Sequence, residues 1–341
     1  MTIRQLGAPA AVIVLLTGCG HSDSFTPASQ GSNNPFDALQ PVRLTFSPDS
    51  DLTPSWTPDG SRLLYTFAVP NDLDRDRCVG VLPAGGGSRV DEKCPLTDFD
   101  GDSTTVSRWP VVGPGNQLAW TEYQTYVGRV TPDRGSIRIG SFDPADPGEA
   151  LLTLPYLAPS GLVHDVPTHL AWLSADELVY VANAATFLRP CLNCPFVETL
   201  QGLEVVRLVL NPRPATVVVV PGTTGATSLS AAPDGSGFYF TLAGDSQVYF
   251  HNLTSGLSVP VHDFGPLGAP GEASVQAGIL AATIGDSLVT VVLATGATTV
   301  YSDTNWVLGA TRISPDASHV VAEMARASQP NLIDLYLLEV P

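Results

Sequence analysis

Cysteines and alternating aspartates are the residues whose type and spacing point first to chemistry. Cys191-Leu192-Asn193-Cys194 has the spacing of a redox or metal-binding pair. A reactive thiolate of that kind needs a helix N-terminus beside it, and here Pro190 and Pro195 bracket the pair in a predicted loop. A four-cysteine zinc site is the rival to a pair of disulfides, but only one Cys-x-x-Cys pair is present and Cys78 and Cys94 lie far away in the chain. Two disulfides in an oxidising compartment are the leading reading. Proximity suggests Cys78–Cys94 and Cys191–Cys194, although three connectivities exist.

Two loops place three carboxylates at alternate positions: Asp72-Leu73-Asp74-Arg75-Asp76 and Asp98-Phe99-Asp100-Gly101-Asp102. Calcium takes six to eight oxygens, and alternating Asp in a loop is one way to supply them. Neither run continues to a Glu at its twelfth position. Asp98, Asp100 and Asp102 form the better calcium candidate, because Gly101 eases a tight turn. The competing reading is a solvated loop, with no cofactor at all.

The elements that must position these groups are strands. The 341 residues include 31 Gly and 30 Pro among short runs of Val, Leu and Thr, and no long stripe at helical spacing follows residue 41. The chain also repeats itself. Asp51 to Phe67, Thr227 to Leu242 and Ala310 to Ala322 each read as an extended segment, a Pro-Asp-Gly-like corner and an apolar strand. Pro58, Pro233 and Pro315 preset φ at the corner, Asp59, Asp234 and Asp316 bond nearby backbone donors, and Gly60 and Gly235 accept positive φ. Ala317 replaces the glycine in the last copy, so a more open or different turn is expected there. Weaker copies run from Trp109 to Tyr123, from Thr168 to Ala182 and from Ala273 to Ser302.

Trp56-Thr57-Pro58-Asp59-Gly60, followed by strands such as Gln247-Val248-Tyr249-Phe250 and Ile333-Asp334-Leu335-Tyr336, resembles the TolB-type propeller repeat. Leu44-Thr45, Leu96-Thr97 and Leu152-Thr153 match its short final strand. The resemblance implies an all-β, six-bladed β-propeller of four-stranded antiparallel blades across 41–341. An open ring would leave sheet edges exposed. Val42–Phe46 is therefore expected to join the last blade as its outer strand.

The N-terminus carries an address. Arg4 precedes an apolar run from Leu6 to Leu16, too short to span a bilayer core about 30 Å thick. Leu16-Thr17-Gly18-Cys19 resembles the bacterial lipobox, which implies a signal peptide over 1–18 and a lipid on Cys19; an ordinary secretory signal is the other reading. Gly20 implies the outer membrane of the cell envelope, facing the periplasm or the cell surface. Residues 20–40 are rich in Ser, Asn, Gly, Pro and Gln and read as a flexible tether.

A net charge of −17, with only 16 Lys and Arg, argues against a nucleic-acid partner. No G-x-S-x-G occurs, and the six histidines form no metal-binding pattern. His164, Asp165 and His169 lie near a unit boundary, where loops can line a channel; a histidine with a backbone partner is the alternative. Trp56, Trp109, Trp120, Trp172 and Trp306 recur near blade starts or strand ends, as core residues do. The expectation is a non-catalytic, lipid-anchored envelope protein that binds a protein, peptide or envelope polymer through loops at one end of the ring. The alternative is a lyase or hydrolase acting on a polysaccharide or peptide in the central channel, since carboxylates from separate blades leave no local motif.

Overall fold

Each hairpin corner is set by a few hydrogen bonds that the local sequence supplies. In the computed structural model, the Asp59 carboxylate accepts from the Thr57 hydroxyl at 2.6 Å and from the Ser61 N–H at 3.0 Å. Asp316 does the same with Ser314 and Ser318. Gly60 and Gly235 both take φ +69°, the left-handed region that lacks a penalty only for glycine. Ala317 takes φ +58°, so the last corner is of the same type and not more open, as its sequence had suggested. The Ser314–Asp316–Ser318 bonds hold the alanine there against the contact between its Cβ and the backbone. Where the fifth unit lacks the corner, Ala277 and Gly278 form a two-residue turn with φ +45° and +78°.

The structure describes residues 41–69, 77–95, 103–126, 134–154, 156–157, 163–188 and 197–340. In chain order the strands are β1 (Val42–Arg43), β2 (Leu52–Trp56), β3 (Arg62–Ala68), β4 (Arg77–Pro83), β5 (Asp91–Lys93), β6 (Ser103–Val112), β7 (Leu118–Tyr126), β8 (Arg134–Gly140) and β9 (Glu149–Leu154). Then come β10 (Tyr156–Leu157), β11 (Val163–Ser174), β12 (Glu177–Leu188), β13 (Val197–Val209), β14 (Thr216–Val219), β15 (Ala226–Ala231), β16 (Gly237–Leu242), β17 (Gln247–Asn252) and β18 (Leu257–Asp263). The chain ends with β19 (Glu272–Gln276), β20 (Ile279–Ile284), β21 (Ser287–Val292), β22 (Ala297–Ser302), β23 (Trp306–Ile313), β24 (His319–Arg326) and β25 (Asp334–Glu339). Two short 3-10 turns, Pro114–Asn116 and Gly265–Leu267, are the helical segments among the described residues.

These strands make an all-β, propeller-like ring of sheets. The expectation of six separate four-stranded blades needs correction, because hydrogen bonding gives five sheets. Three are four-stranded: β15–β18, β19–β22, and β23–β25 with β1. The sheet β10–β14 has five strands, because the long β11 extends far enough for β10 to pair with Val163 and His164. Strands β2 to β9 form one eight-stranded sheet. Its short outer strand β5 covers only Val79–Val81 of β4, and a parallel bridge joins Arg77 to Val106 of β6. The first strands β2, β6, β11, β15, β19 and β23 stand beside one another in a closed circuit around the axis.

The apolar faces lie between neighbouring strand sets. Leu178 and Tyr180 of β12 pack toward Ile137, Ile139 and Leu152, while Val179 and Val181 on the opposite face pack toward Leu229, Phe238 and Phe240. Such alternation buries both sides of a strand, which one isolated hairpin set cannot do. The circuit therefore has to close.

Chain ends close it. Val42 and Arg43 pair antiparallel with Leu337 and Tyr336 of β25. The strand is shorter than the expected Val42–Phe46: Leu44 still donates its N–H to the Leu335 carbonyl at 2.8 Å, but Phe46 is 68% exposed. Arg43 meets the buried Asp334 carboxylate at 2.6 Å, and the Leu335 N–H donates to the Thr45 hydroxyl at 2.9 Å. Asp51 is buried beside this seam. Burial pushes its carboxyl up to about 7; Thr45 acts against this, nearby Asp334 adds to it, and Arg89 acts against it. Cys78 and Cys94 form a disulfide between β4 and the residue following β5. Cys19, Cys191 and Cys194 lie outside the described residues.

Three stability outcomes follow from these contacts. Arg43→Ala leaves the Asp334 carboxylate buried without its partner and should lower unfolding stability by about 3 kcal/mol, read by urea denaturation. An acid with a raised folded-state pKa stays protonated in the native protein after the unfolded chain has lost its proton, so its contribution is full at low pH and declines as pH rises toward about 7. Asp51→Asn should then raise Tm at about pH 8 and make little difference below about pH 4; equal melting of both proteins at the higher pH would refute this. Ala317→Gly should stabilise by about 1 kcal/mol through relief of the left-handed alanine, measured in the same denaturation series.

Candidate active site

Strands lining the axis are irregular where the chemistry sits. The pairings of β2, β6, β11, β15 and β23 with their neighbours each contain a register shift, and that of β19 does not. In β2, β6 and β11 the bulge holds Thr53, Trp109 and His169, all at φ +53°. Each such non-glycine conformation costs about 1–3 kcal/mol and persists where surrounding contacts over-determine it. A bulge re-aims a side chain that a regular strand would turn elsewhere.

Three ionisable residues from three strands meet as a result. His169 of β11 places Nε2 2.5 Å from Glu272 Oε1 of β19. Arg312 of β23 donates from Nη1 to Glu272 Oε2 at 2.9 Å. The other ring nitrogen of His169, Nδ1, lies 2.9 Å from the Thr168 hydroxyl. The Trp109 indole packs against the His169 imidazole with ring centroids 4.1 Å apart. Burial pushes the Glu272 carboxyl up, but the charges and hydrogen bonds of His169 and Arg312 outweigh it and hold the group at about 2. Glu272 is thus an ionised anchor between a histidine and a guanidinium.

A second buried carboxylate, Glu323 of β24, differs in character. It accepts from the Thr53 N–H at 2.6 Å and the Ala310 N–H at 3.2 Å, joining β2 to β23. Burial raises its carboxyl above the usual range; those two N–H groups oppose the rise, and the negative Glu272 adds to it. Gly309 makes room for it, since a Cβ at that position would stand 2.5 Å from Glu323 Oε2. Neighbouring carboxyls driven in opposite directions are a frequent sign of acid–base work.

Beside this set, at the end of the ring formed by the Pro-Asp-Gly corners, lies a cavity of about 530 Å³. All the axial strands contribute to it, and Trp56, Trp109, Trp172, Ser230, Ser274, Gln276 and Arg312 are among the lining residues. The Trp56 indole donates to the Arg312 carbonyl at 3.0 Å and the Trp172 indole to the Val111 carbonyl at 3.4 Å, so two tryptophans also tie adjacent axial strands together. Trp120 and Trp306 are core residues, 1% and 5% exposed.

Of the residues marked in the sequence, the structure brings His169 to this site and not His164. His164 is fully buried with Nε2 2.5 Å from Glu204. Asp98, Asp100 and Asp102, and the run Asp72 to Asp76, fall outside the described residues. Among the described residues, no group of three or more His, Cys, Asp or Glu side chains is placed to hold a metal ion. At the axis, the cation beside His169 and Glu272 is the guanidinium of Arg312, a donor set that does not suit a divalent metal. Glu272, Arg312 and Glu323 were not singled out from sequence. The available signal was an ionisable side chain on strands whose other inward positions are small or apolar.

No family model matches the chain, and no curated protein matches it. Solved structures do resemble it. A gluconolactonase from Xanthomonas campestris aligns with a TM-score of 0.56 at 16% identity, covering 88% of this chain and 89% of that one. A luciferin-regenerating enzyme gives 0.52 at 10% identity, over 88% and 95%. An oligogalacturonate lyase in complex with manganese gives 0.50 at 12% identity, over 88% and 93%. Identities this low show the fold, a propeller-like ring of sheets; membership of the TolB-type family is not shown. The expectation of a non-catalytic scaffold is corrected at this point: the proteins of like fold named here are enzymes, which favours the enzymatic alternative.

Proposed function

We propose that the protein is an enzyme that works in its axial channel by proton transfer, as a lyase on a polysaccharide-type substrate. The observation that carries this reading is the convergence of His169, Glu272 and Arg312 from three separate strands beside a cavity. Glu272 accepts from Nε2 and orients the imidazole, and Nδ1 takes a proton from substrate carbon once substrate displaces its contact with the Thr168 hydroxyl. Arg312 neutralises the negative charge that develops as that carbon–hydrogen bond breaks. The electron pair then forms the new double bond, and the glycosidic oxygen leaves and is protonated by solvent. The likeness in fold to an oligogalacturonate lyase and a gluconolactonase supports a saccharide substrate.

Three further points belong to this reading. The eight-stranded sheet is counted as two blades joined by the Arg77–Val106 bridge, so that the axial circuit of first strands corresponds to six blades. The corners at Pro58, Pro233 and Pro315 support a TolB-like repeat. Leu16 to Cys19 supports export and a lipid anchor in the cell envelope, with 41–341 as the folded part.

The test is a panel of purified acidic and neutral polysaccharides and peptides incubated with the full chain, followed by assay of new ultraviolet-absorbing unsaturated ends. The expected result is unsaturated product from a saccharide. His169→Ala should then lower kcat by about 10²–10⁴-fold with a melting curve near that of wild type, and Glu272→Gln should lower it by less while also lowering Tm, since Arg312 loses its buried partner. Cleavage without unsaturated ends, or full activity in His169→Ala, would overturn the mechanism.

A further inference from the structure

We infer that the cavity at the corner end of the ring is a receptor for a saccharide bearing one carboxylate. This rests on the lyase reading and narrows it to a substrate class. In a chain of net charge −17, the cavity lining contains one charged side chain, Arg312, and no carboxylate. The charge that faces an anion in this cavity is therefore the Arg312 guanidinium, partly neutralised by Glu272 from outside the lining. The described hydrogen bonds of Arg312, to Glu272 Oε2 and the Thr311 carbonyl, both use Nη1. The rest of the planar guanidinium is left for a carboxylate, which matches its fork geometry. One guanidinium already shared with Glu272 suits a single negative charge better than a phosphate of about −2.

Neutral groups of the lining point to hydroxyl-rich ligands. Ser230, also in the lining, keeps its Oγ buried beneath the cavity surface. Ser274 Oγ accepts from the Ile313 N–H at 3.0 Å, which leaves its own proton to give. Gln276 adds an amide with both donor and acceptor character. Trp109 and Trp172 supply flat apolar surface of the kind that covers the C–H face of a sugar ring. The volume of about 530 Å³ admits a small saccharide or the end of a longer one.

Calorimetric titration of the full chain distinguishes the possibilities, using a galactose trimer in which one unit is galacturonic acid, a size-matched neutral galactose trimer and glucose 6-phosphate. The acidic trimer should bind about tenfold or more tightly than either of the others. Arg312→Gln should lose about tenfold in affinity for the acidic trimer, Arg312→Lys should retain part of it, and Gln276→Ala should weaken binding a few-fold, on the order of a lost neutral hydrogen bond. Equal binding of the neutral trimer, tighter binding of the phosphate, or undiminished binding by an Arg312→Gln protein that melts like wild type would overturn the inference. The two readings fail separately. Acidic-trimer binding without any turnover sinks the enzyme and keeps the receptor; lyase activity on a neutral substrate, with no acidic-trimer binding, does the reverse.

Discussion

Burial of both faces of each strand set is the constraint on which the rest of the structure depends. β12 carries Leu178 and Tyr180 toward one neighbour and Val179 and Val181 toward the other. A set with two apolar faces needs a partner on each side, and only a circuit provides one for every member. This is why two residues, Val42 and Arg43, matter so much. By pairing with β25 they tie the first described strand to the last and cover the outer edge of β25.

Closure has an electrostatic side. The seam buries two carboxyls, Asp51 and Asp334, against one guanidinium, Arg43. Such an arrangement is expensive to desolvate and is held by geometry: Arg43 on Asp334, the Thr45 hydroxyl on the Leu335 N–H, and the Asp51 N–H on the Ile333 carbonyl. It makes the join specific in register. It also ties ring stability to protonation, since the raised Asp51 carboxyl prefers to remain neutral.

The circuit that buries the core also creates the site. First strands crowd around the axis, and bulges turn Trp109 and His169 out of the usual alternation. Residues distant in sequence, His169, Glu272 and Arg312, become hydrogen-bonded neighbours with one ionised carboxylate at their centre. Glu323 braces the same region by taking N–H groups from β2 and β23, where the left-handed Thr53 and the bulge near Gly309 leave them free. Backbone irregularity and side-chain chemistry therefore coincide at the axis, although β19, which carries Glu272, pairs without a register shift.

Much of the fold was legible because its signals are local. Pro58-Asp59-Gly60 and its copies set turn geometry within a few residues, alternation marked the strands, and an unpaired first segment with an incomplete last unit implied closure. What went astray also has local causes. Ala317 was read from its intrinsic preference, but the Ser314–Asp316–Ser318 bonds overrode it. Six separate sheets were expected from six repeats, but a three-residue β5 left part of β4 uncovered and let β6 bridge to it.

The site was hardly legible at all. His169 drew notice through its position near a unit boundary, while Glu272 and Arg312 each stood alone in sequence. By itself, the sequence determined the strands, the corners, the closing seam and the acidic surface, because these depend on neighbours along the chain or on totals over it. Tertiary structure decided which ionisable groups meet at the axis and which remain apart. Their distance depends on how many strand sets complete the turn, and on where each bulge shifts the register, so no short stretch of residues encodes it.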